Sequence, residues 1–251
     1  MRLVFSLVLF LLFNSYALGA ESIKVLTAGT FKQVLVELSS EFHEQFKVDV
    51  QIENETAGVL LKKIAAGENF DVVVLTPSAL KDISVSQKID STSIHPLGRV
   101  GIAVAVKNGH ALPKIGSVGD FFKTLMEIKN VAYIDPASGG SSGIYLEGLF
   151  RQKGLLEQIR GKAILVHGGL VAEKLVTGEA ELAIHQKSEL LQVPGITIVG
   201  PLPDEIQNYT DYSVALSRTS QENKNAQLFL QMLVSNKSKD VYKSRGIDVS
   251  E

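Results

Sequence analysis

The stretch Asp135-Pro136-Ala137-Ser138-Gly139-Gly140-Ser141-Ser142-Gly143 concentrates groups that can hold an anion without carrying charge. It follows the apolar run Val131–Ile134 and precedes a segment whose Ile144, Leu146, Leu149 and Phe150 keep helical spacing. Small residues with free backbone N–H groups therefore sit where a helix starts. A helix start leaves unpaired donors and carries about half a positive charge, so it attracts an oxyanion or a carboxylate. Gly140 lets a ligand approach the backbone, and the hydroxyls of Ser138, Ser141 and Ser142 add neutral donors. The plainer reading of the same residues is a glycine-rich loop with a serine N-cap.

Two further strand-to-helix junctions carry small polar residues, Ala28-Gly29-Thr30 and Thr56-Ala57-Gly58. Open α/β sheets bind ligands at the carboxyl ends of their strands. Thr30, Thr56, Ala57 and Gly58 thus join the serine loop as candidate ligand contacts. His167-Gly168-Gly169 reads as another strand end opening a helix, and His185-Gln186 closes the strand Leu182–His185. Arg99 stands just before a strand, where its guanidinium could grip a carboxylate through two N–H bonds; the alternative is a surface arginine. The five histidines show no HxxxH or HxH spacing, so no metal site is expected.

Gly139-Gly140-Ser141-Ser142-Gly143 also matches G-x-S-x-G, the nucleophile elbow of α/β-hydrolases. Ser141, then Glu179 or Glu181, then His185 obeys that fold's triad order. Against it, Asp135–Ser138 separates the serine from the strand, and Pro136 cannot continue a sheet ladder. A serine hydrolase is the rival reading. The expectation is a protein that binds its ligand without covalent chemistry or cofactor and is not an enzyme.

These junctions need a scaffold of alternating strands and helices, and the pattern supplies one. Ile23–Leu26, Val48–Ile52 and Asp71–Leu75 read as strands; Phe31 to Phe46, Val59–Ala66 and a segment opened by Thr76-Pro77 read as helices. A second α/β unit begins near Arg99 with the strand Gly101–Val106. It continues through a helix opened by Ser117 and Asp120, then Val131–Ile134, the serine-loop helix, Ala163–Val166, the helix Leu170–Thr177, Leu182–His185 and Ile196–Val199. Asp211–Leu216 is the last strand, and a helix from about Gln221 to Val234 follows. Parallel strands with crossover helices are the expected layer arrangement. Two units joined by strand-like segments imply lobes that hinge about a cleft.

Met1-Arg2, the apolar run Leu3–Phe13 and the small residues up to Ala20 read as a secretory signal peptide cleaved after Gly19 or Ala20. The run is shorter than the roughly 20 residues a membrane span needs. There is no cysteine, hence no lipid anchor, disulfide or thiol chemistry. The balance of 25 Lys+Arg against 27 Asp+Glu gives a net charge of −2, which suggests neither a nucleic-acid surface nor a polybasic membrane patch. The expected location is the periplasm.

Over nearly the whole mature chain the sequence resembles the periplasmic molybdate-binding proteins of ABC transporters. The resemblance rests on Val25-Leu26-Thr27-Ala28-Gly29-Thr30-Phe31, Leu60 to Gly67 leading into Phe70-Asp71-Val72-Val73-Val74, Asp135-Pro136 with Gly143-Ile144-Tyr145, and Gly178 to Ile184. It implies a type II periplasmic binding protein: two α/β lobes, 21–98 with 201–251 and 99–200, a hinge and an interlobe cleft. It further implies a monomer that captures a small anion and passes it to an inner-membrane ABC permease, with a ligand-presenting sensor as an alternative. Of the family's molybdate contacts, the first serine falls on Thr30 and the second near Ala57, beside Thr56. The cradle's backbone donor falls on Ser142, with one extra loop residue, the next donor on Gly168, and the binding tyrosine on Gln186. A more specific likeness is to a divergent branch with Arg99-Val100-Gly101-Ile102, Ser138 to Gly143 and Gly200-Pro201-Leu202-Pro203. The changed contacts together with Arg99 suit a small organic carboxylate at least as well as a molybdate- or tungstate-like oxyanion.

Overall fold

The alternation of apolar runs and amphipathic segments becomes a nine-stranded mixed sheet flanked by helices. The structure, a computed structural model, describes residues 21–249, so the expected signal peptide lies outside the described residues. Strand β1 (Ser22–Ala28) runs through a 3-10 turn into α1 (Lys32–Phe46); β2 (Asp49–Glu55), α2 (Ala57–Ala65), β3 (Val72–Leu75) and α3 (Pro77–Val85) follow. The helical spacing of Val34, Leu35, Leu38 and Phe42 puts all four on the buried face of α1. Thr76 caps α3 by accepting from the Ala79 N–H, with Pro77 in the first turn.

The long strand β4 (His95–Lys107) leads to α4 (Val118–Glu127), β5 (Val131–Ile134), α5 (Ser141–Gln152), α6 (Leu156–Arg160) and β6 (Ala163–Val166). Then come α7 (Glu173–Val176), β7 (Leu182–Gln186), α8 (Lys187–Leu190), β8 (Ile196–Pro201), β9 (Tyr209–Leu216), α9 (Lys224–Val234) and α10 (Asn236–Ser244). The strand order is β2-β1-β3-β9-β4-β7-β5-β6, with β8 also paired to β4. Pairings β1–β2, β1–β3, β5–β6 and β5–β7 are parallel, as the crossover helices demand.

Strand β4 begins six residues before the expected Gly101, at His95. Its first half hides from a hydropathy reading because only Leu97 and Val100 turn inward, while His95, Pro96 and Arg99 are exposed. Residues His95–Gly101 pair with β9, whereas Ile102–Ala105 pair with β7 and Ala103–Lys107 with β8. The apolar core divides along the same strand. One buried cluster runs from Ile23 to Val100 and from Tyr212 to Ile247; two others draw on residues between Ile102 and Ile206. Leu202 and Ile206 pack with the second half.

Two local expectations change. The helix expected from Phe31 starts at Lys32, because Gly29–Phe31, Thr30 included, form a 3-10 turn before it. The helix expected from Leu170 is only Glu173–Val176, because Gly169 takes a left-handed φ of 83° and the chain turns before it can wind. Phe31 anchors the turn: it is fully buried, its ring centroid 5.3 Å from that of Tyr212 and 5.4 Å from that of Tyr242. Phe31→Ala should lower the unfolding free energy by about 3–5 kcal/mol. Urea denaturation of the variant measures this.

Candidate functional site

The carboxyl ends of β1, β2, β3, β5, β6 and β7 surround a cavity that offers about 60 Å³ to the centre of a water-sized sphere. That is room for several ligand atoms rather than a single water. From the first half its wall includes Ala28, Gly29, Asn54 to Ala57 and Thr76; from the second it includes Ile134, Gly139 to Ser141, Gly168, Gly169, His185, Gln186 and Glu189. Tyr212 of β9 completes it.

Helix α5 supplies the donors foreseen for it. Gly140 is its N-cap in extended conformation, with no side chain capping the first turn. The opening N–H groups of α5 therefore have no intrahelical acceptor. Opposite, Thr56 caps α2 by accepting from the Val59 N–H at 3.4 Å and donates its own proton to the Ser138 carbonyl across the cleft. The two loops meet backbone to backbone. A Cβ on Gly58 would stand 2.9 Å from Gly139 Cα, and a Cβ on Gly139 would stand 2.6 Å from Gly58 Cα.

Gln186 ties the halves together. Its Oε1 accepts from the Thr30 hydroxyl and, at 3.1 Å, from the Tyr212 hydroxyl; its Nε2 donates to Ser141 Oγ at 2.9 Å. Thr30 Oγ1 also lies 2.9 Å from the Tyr212 hydroxyl. Burial, reinforced by the charge of Glu189, pushes the Tyr212 phenol up to about 12. It therefore remains a donor across the neutral range.

A second chain of contacts is ionisable. Ser142 Oγ is 2.7 Å from His185 Nδ1, and His185 Nε2 is 3.0 Å from Glu189 Oε2. The side chains of His185 and Glu189 are only 4% and 12% exposed. Despite its short distance to Glu189, Nε2 makes no aligned hydrogen bond and is buried. Glu189 also crosses to the first half, where Oε1 lies 3.4 Å from Thr30 Oγ1 and the carboxylate packs on Gly29, leaving no space there for a side chain. The ionisable residues of the wall are Glu55, His185, Glu189 and Tyr212; it contains no lysine or arginine.

Of the residues singled out in the sequence, Thr56, Ala57, Gly140, Ser141, Gly168, His185 and Gln186 line the cavity. Thr30, Gly58, Ser138 and Ser142 stand behind the wall and hold it through the contacts above. Gly168 lies in a turn rather than at a helix start. Arg99 is not in the wall. Alternation along β4 buries Val100 and turns Arg99 outward, its guanidinium carbon 4.3 Å from the centre of the Tyr209 ring, in a separate recess with Asp211 and Asp248. The hydrolase triad does not assemble either. Glu179 pairs with Lys174, Glu181 accepts from the Lys129 N–H, and Ser141 bonds Gln186 instead of His185. The serine that does touch His185, Ser142, is buried. Missed from the sequence were Asn54, Glu55, Thr76, Glu189 and Tyr212. Glu189 had a readable signal, an acid four residues after His185; Tyr212 had none, since its strand reaches the site through tertiary pairing.

The sequence pattern of the bacterial extracellular solute-binding proteins matches residues 23–248. A protein of Pseudomonas sp named aconitate isomerase is 32% identical over 232 residues, covering 90% of this chain and 87% of its own. Among solved structures, the periplasmic molybdate-binding protein of Azotobacter vinelandii superposes with a TM-score of 0.75 at 17% identity, covering 91% of this chain and all of that one. L-phospholactate-bound PEB3 superposes with a TM-score of 0.68 at 17% identity, again over 91% of this chain and all of that one. The structural likenesses establish the two-lobed α/β fold. The Pseudomonas relative corrects the expectation of a protein without enzymatic activity, because that relative is an enzyme.

Gly58 and Gly139 meet backbone to backbone where the two loops join at the cavity. Gly58→Ala should weaken ligand binding by about tenfold or more, ~1.4 kcal/mol, while leaving the fold intact. Calorimetric titration of the variant beside the parent checks this.

Proposed function

This chain belongs to the bacterial extracellular solute-binding proteins, and we propose that it binds a small unsaturated polycarboxylate in the cleft and isomerises it by proton transfer. One observation carries the reading: the Glu189 carboxylate stands in the wall of a site otherwise furnished with anion donors, beside His185. A simple anion trap gains nothing from a carboxylate there. A reaction that removes a proton from carbon needs a base at that place. The likeness to an aconitate isomerase supports the same class of substrate.

The proposed step balances without a cofactor. Glu189 takes a proton from the methylene flanked by a carboxylate and the carbon–carbon double bond. The electron pair spreads over the three-carbon unit, and a proton returns at its far carbon, so the double bond moves by one position. Rotation before reprotonation sets the cis or trans outcome. The first N–H groups of α5, with the side-chain amide of Gln186, face the carboxylate that gathers negative charge. Ser142 holds the imidazole of His185 against Glu189. Conversion of trans- to cis-aconitate is the direct assay, and Glu189→Gln should slow it by about 10²–10⁴. A wild-type rate in the variant would remove Glu189 as the base.

A second reading, favoured by the contacts that join the two halves across the cleft, is periplasmic capture and delivery of the anion to an inner-membrane ABC permease. The two halves, the second extended to take in Leu202 and Ile206, then close about the ligand, whose differential affinity shifts the population to the closed state. The two readings are compatible in one molecule. A thermal-shift series separates ligand classes: a specific ligand at a hundredfold excess over Kd stabilises by about 2.7 kcal/mol. Carboxylates are expected to give that shift, and a shift with molybdate and tungstate alone would return the site to an inorganic oxyanion.

A further inference from the structure

We infer that the binding of an anion in this cleft is coupled to the uptake of a proton from solution by the Glu189–His185 pair. The inference rests on the cleft being an anion site and does not require that the anion react.

Several elements face the pair. Strand β7 brings His185 and α8 brings Glu189; the turn after β1 brings Thr30 and Gly29; α5 brings Ser141 and Ser142; β9 brings the Tyr212 phenol. Glu55 at the end of β2 is the other acid in the wall. Among the described residues of the wall there is no lysine or arginine, and His185 is the one imidazole. An anion entering beside the Glu189 carboxylate meets a group of its own charge in a confined space, where repulsion is weakly screened.

One proton removes that conflict, and the geometry has a place for it. An imidazolium donates from both ring nitrogens, and both have an acceptor within reach: Ser142 Oγ at 2.7 Å from Nδ1 and Glu189 Oε2 at 3.0 Å from Nε2. The buried Nε2, without an aligned bond, is the position left open for it. The proton has to come from solution, because polycarboxylates, like sulfate and molybdate, are ionised at pH 8 and bring none.

The test uses tricarballylate, a saturated tricarboxylate that cannot undergo the double-bond shift, titrated calorimetrically at pH 8 in two buffers of different ionisation enthalpy. Wild-type protein should take up close to one proton per ligand, and its affinity should rise about tenfold per unit as pH falls from 8 to 7. In Glu189→Gln the wall starts without that charge. Uptake should then fall below half a proton. Wild-type uptake below half a proton overturns the inference, as does unchanged uptake in the variant. The wild-type titration decides by itself if the variant does not fold. If tricarballylate gives no heat, trans-aconitate and molybdate take its place, and any ligand bound without uptake overturns the inference. Proton-coupled binding without isomerase activity would sink the enzymatic reading alone.

Discussion

Strand β4 is the constraint on which both halves of the molecule depend. It is one strand, His95–Lys107, yet its first seven residues pair with β9 and the remainder with β7 and β8. A single extended segment therefore belongs to two sheets and fixes the orientation of each. Asp248 reinforces the crossing by exchanging backbone hydrogen bonds of 2.8 Å in both directions with Arg99. Gly98 has to be glycine there, because a Cβ would lie 2.6 Å from the Asp248 carbonyl. Since strand direction decides which end of a parallel sheet presents its loops, anchoring both sheets to one strand aims their carboxyl ends at the same space.

What fills that space is electrically unusual for an anion site. The attraction comes from backbone N–H groups, hydroxyls and one amide, with the half-charge of a helix start behind them. Such donors are weak singly and strong when dehydrated together. Against them stands the Glu189 carboxylate, held to His185 and packed on Gly29 of the other half. The combination distinguishes a site that handles protons from one that only stores negative charge. It also explains why Tyr212, buried and protonated, is tolerated beside the acid: a neutral phenol donates without adding charge.

Much of this was legible in the sequence wherever the signal is local. The serine loop, the Thr56 and Thr76 caps and the face of α1 follow from neighbouring residues, and the structure places them accordingly. Arg99 failed for a geometric reason: which face of a strand a side chain takes depends on register, and the register of β4 is set by β9 more than a hundred residues later. Tyr212 was missed for the same reason in reverse. The hydrolase motif matched by letter, but Ser141 and Ser142 are adjacent on a helix and point to different partners, Gln186 and His185. A pattern of spacing cannot tell which of two neighbouring hydroxyls meets the imidazole.

The place of β9 has a consequence for the order in which the chain can fold. In the first half it lies between β3 and β4, two strands completed more than a hundred residues earlier. Until Leu216 is available, β3 ends in an open edge with no antiparallel partner. The clusters built from Ile102 to Ile206 are contiguous in sequence and need no later segment. Such contiguous units close their contacts at lower entropic cost than distant ones. The second half can therefore organise while the first waits, and the last strand to arrive carries Tyr212, the residue that completes the cavity.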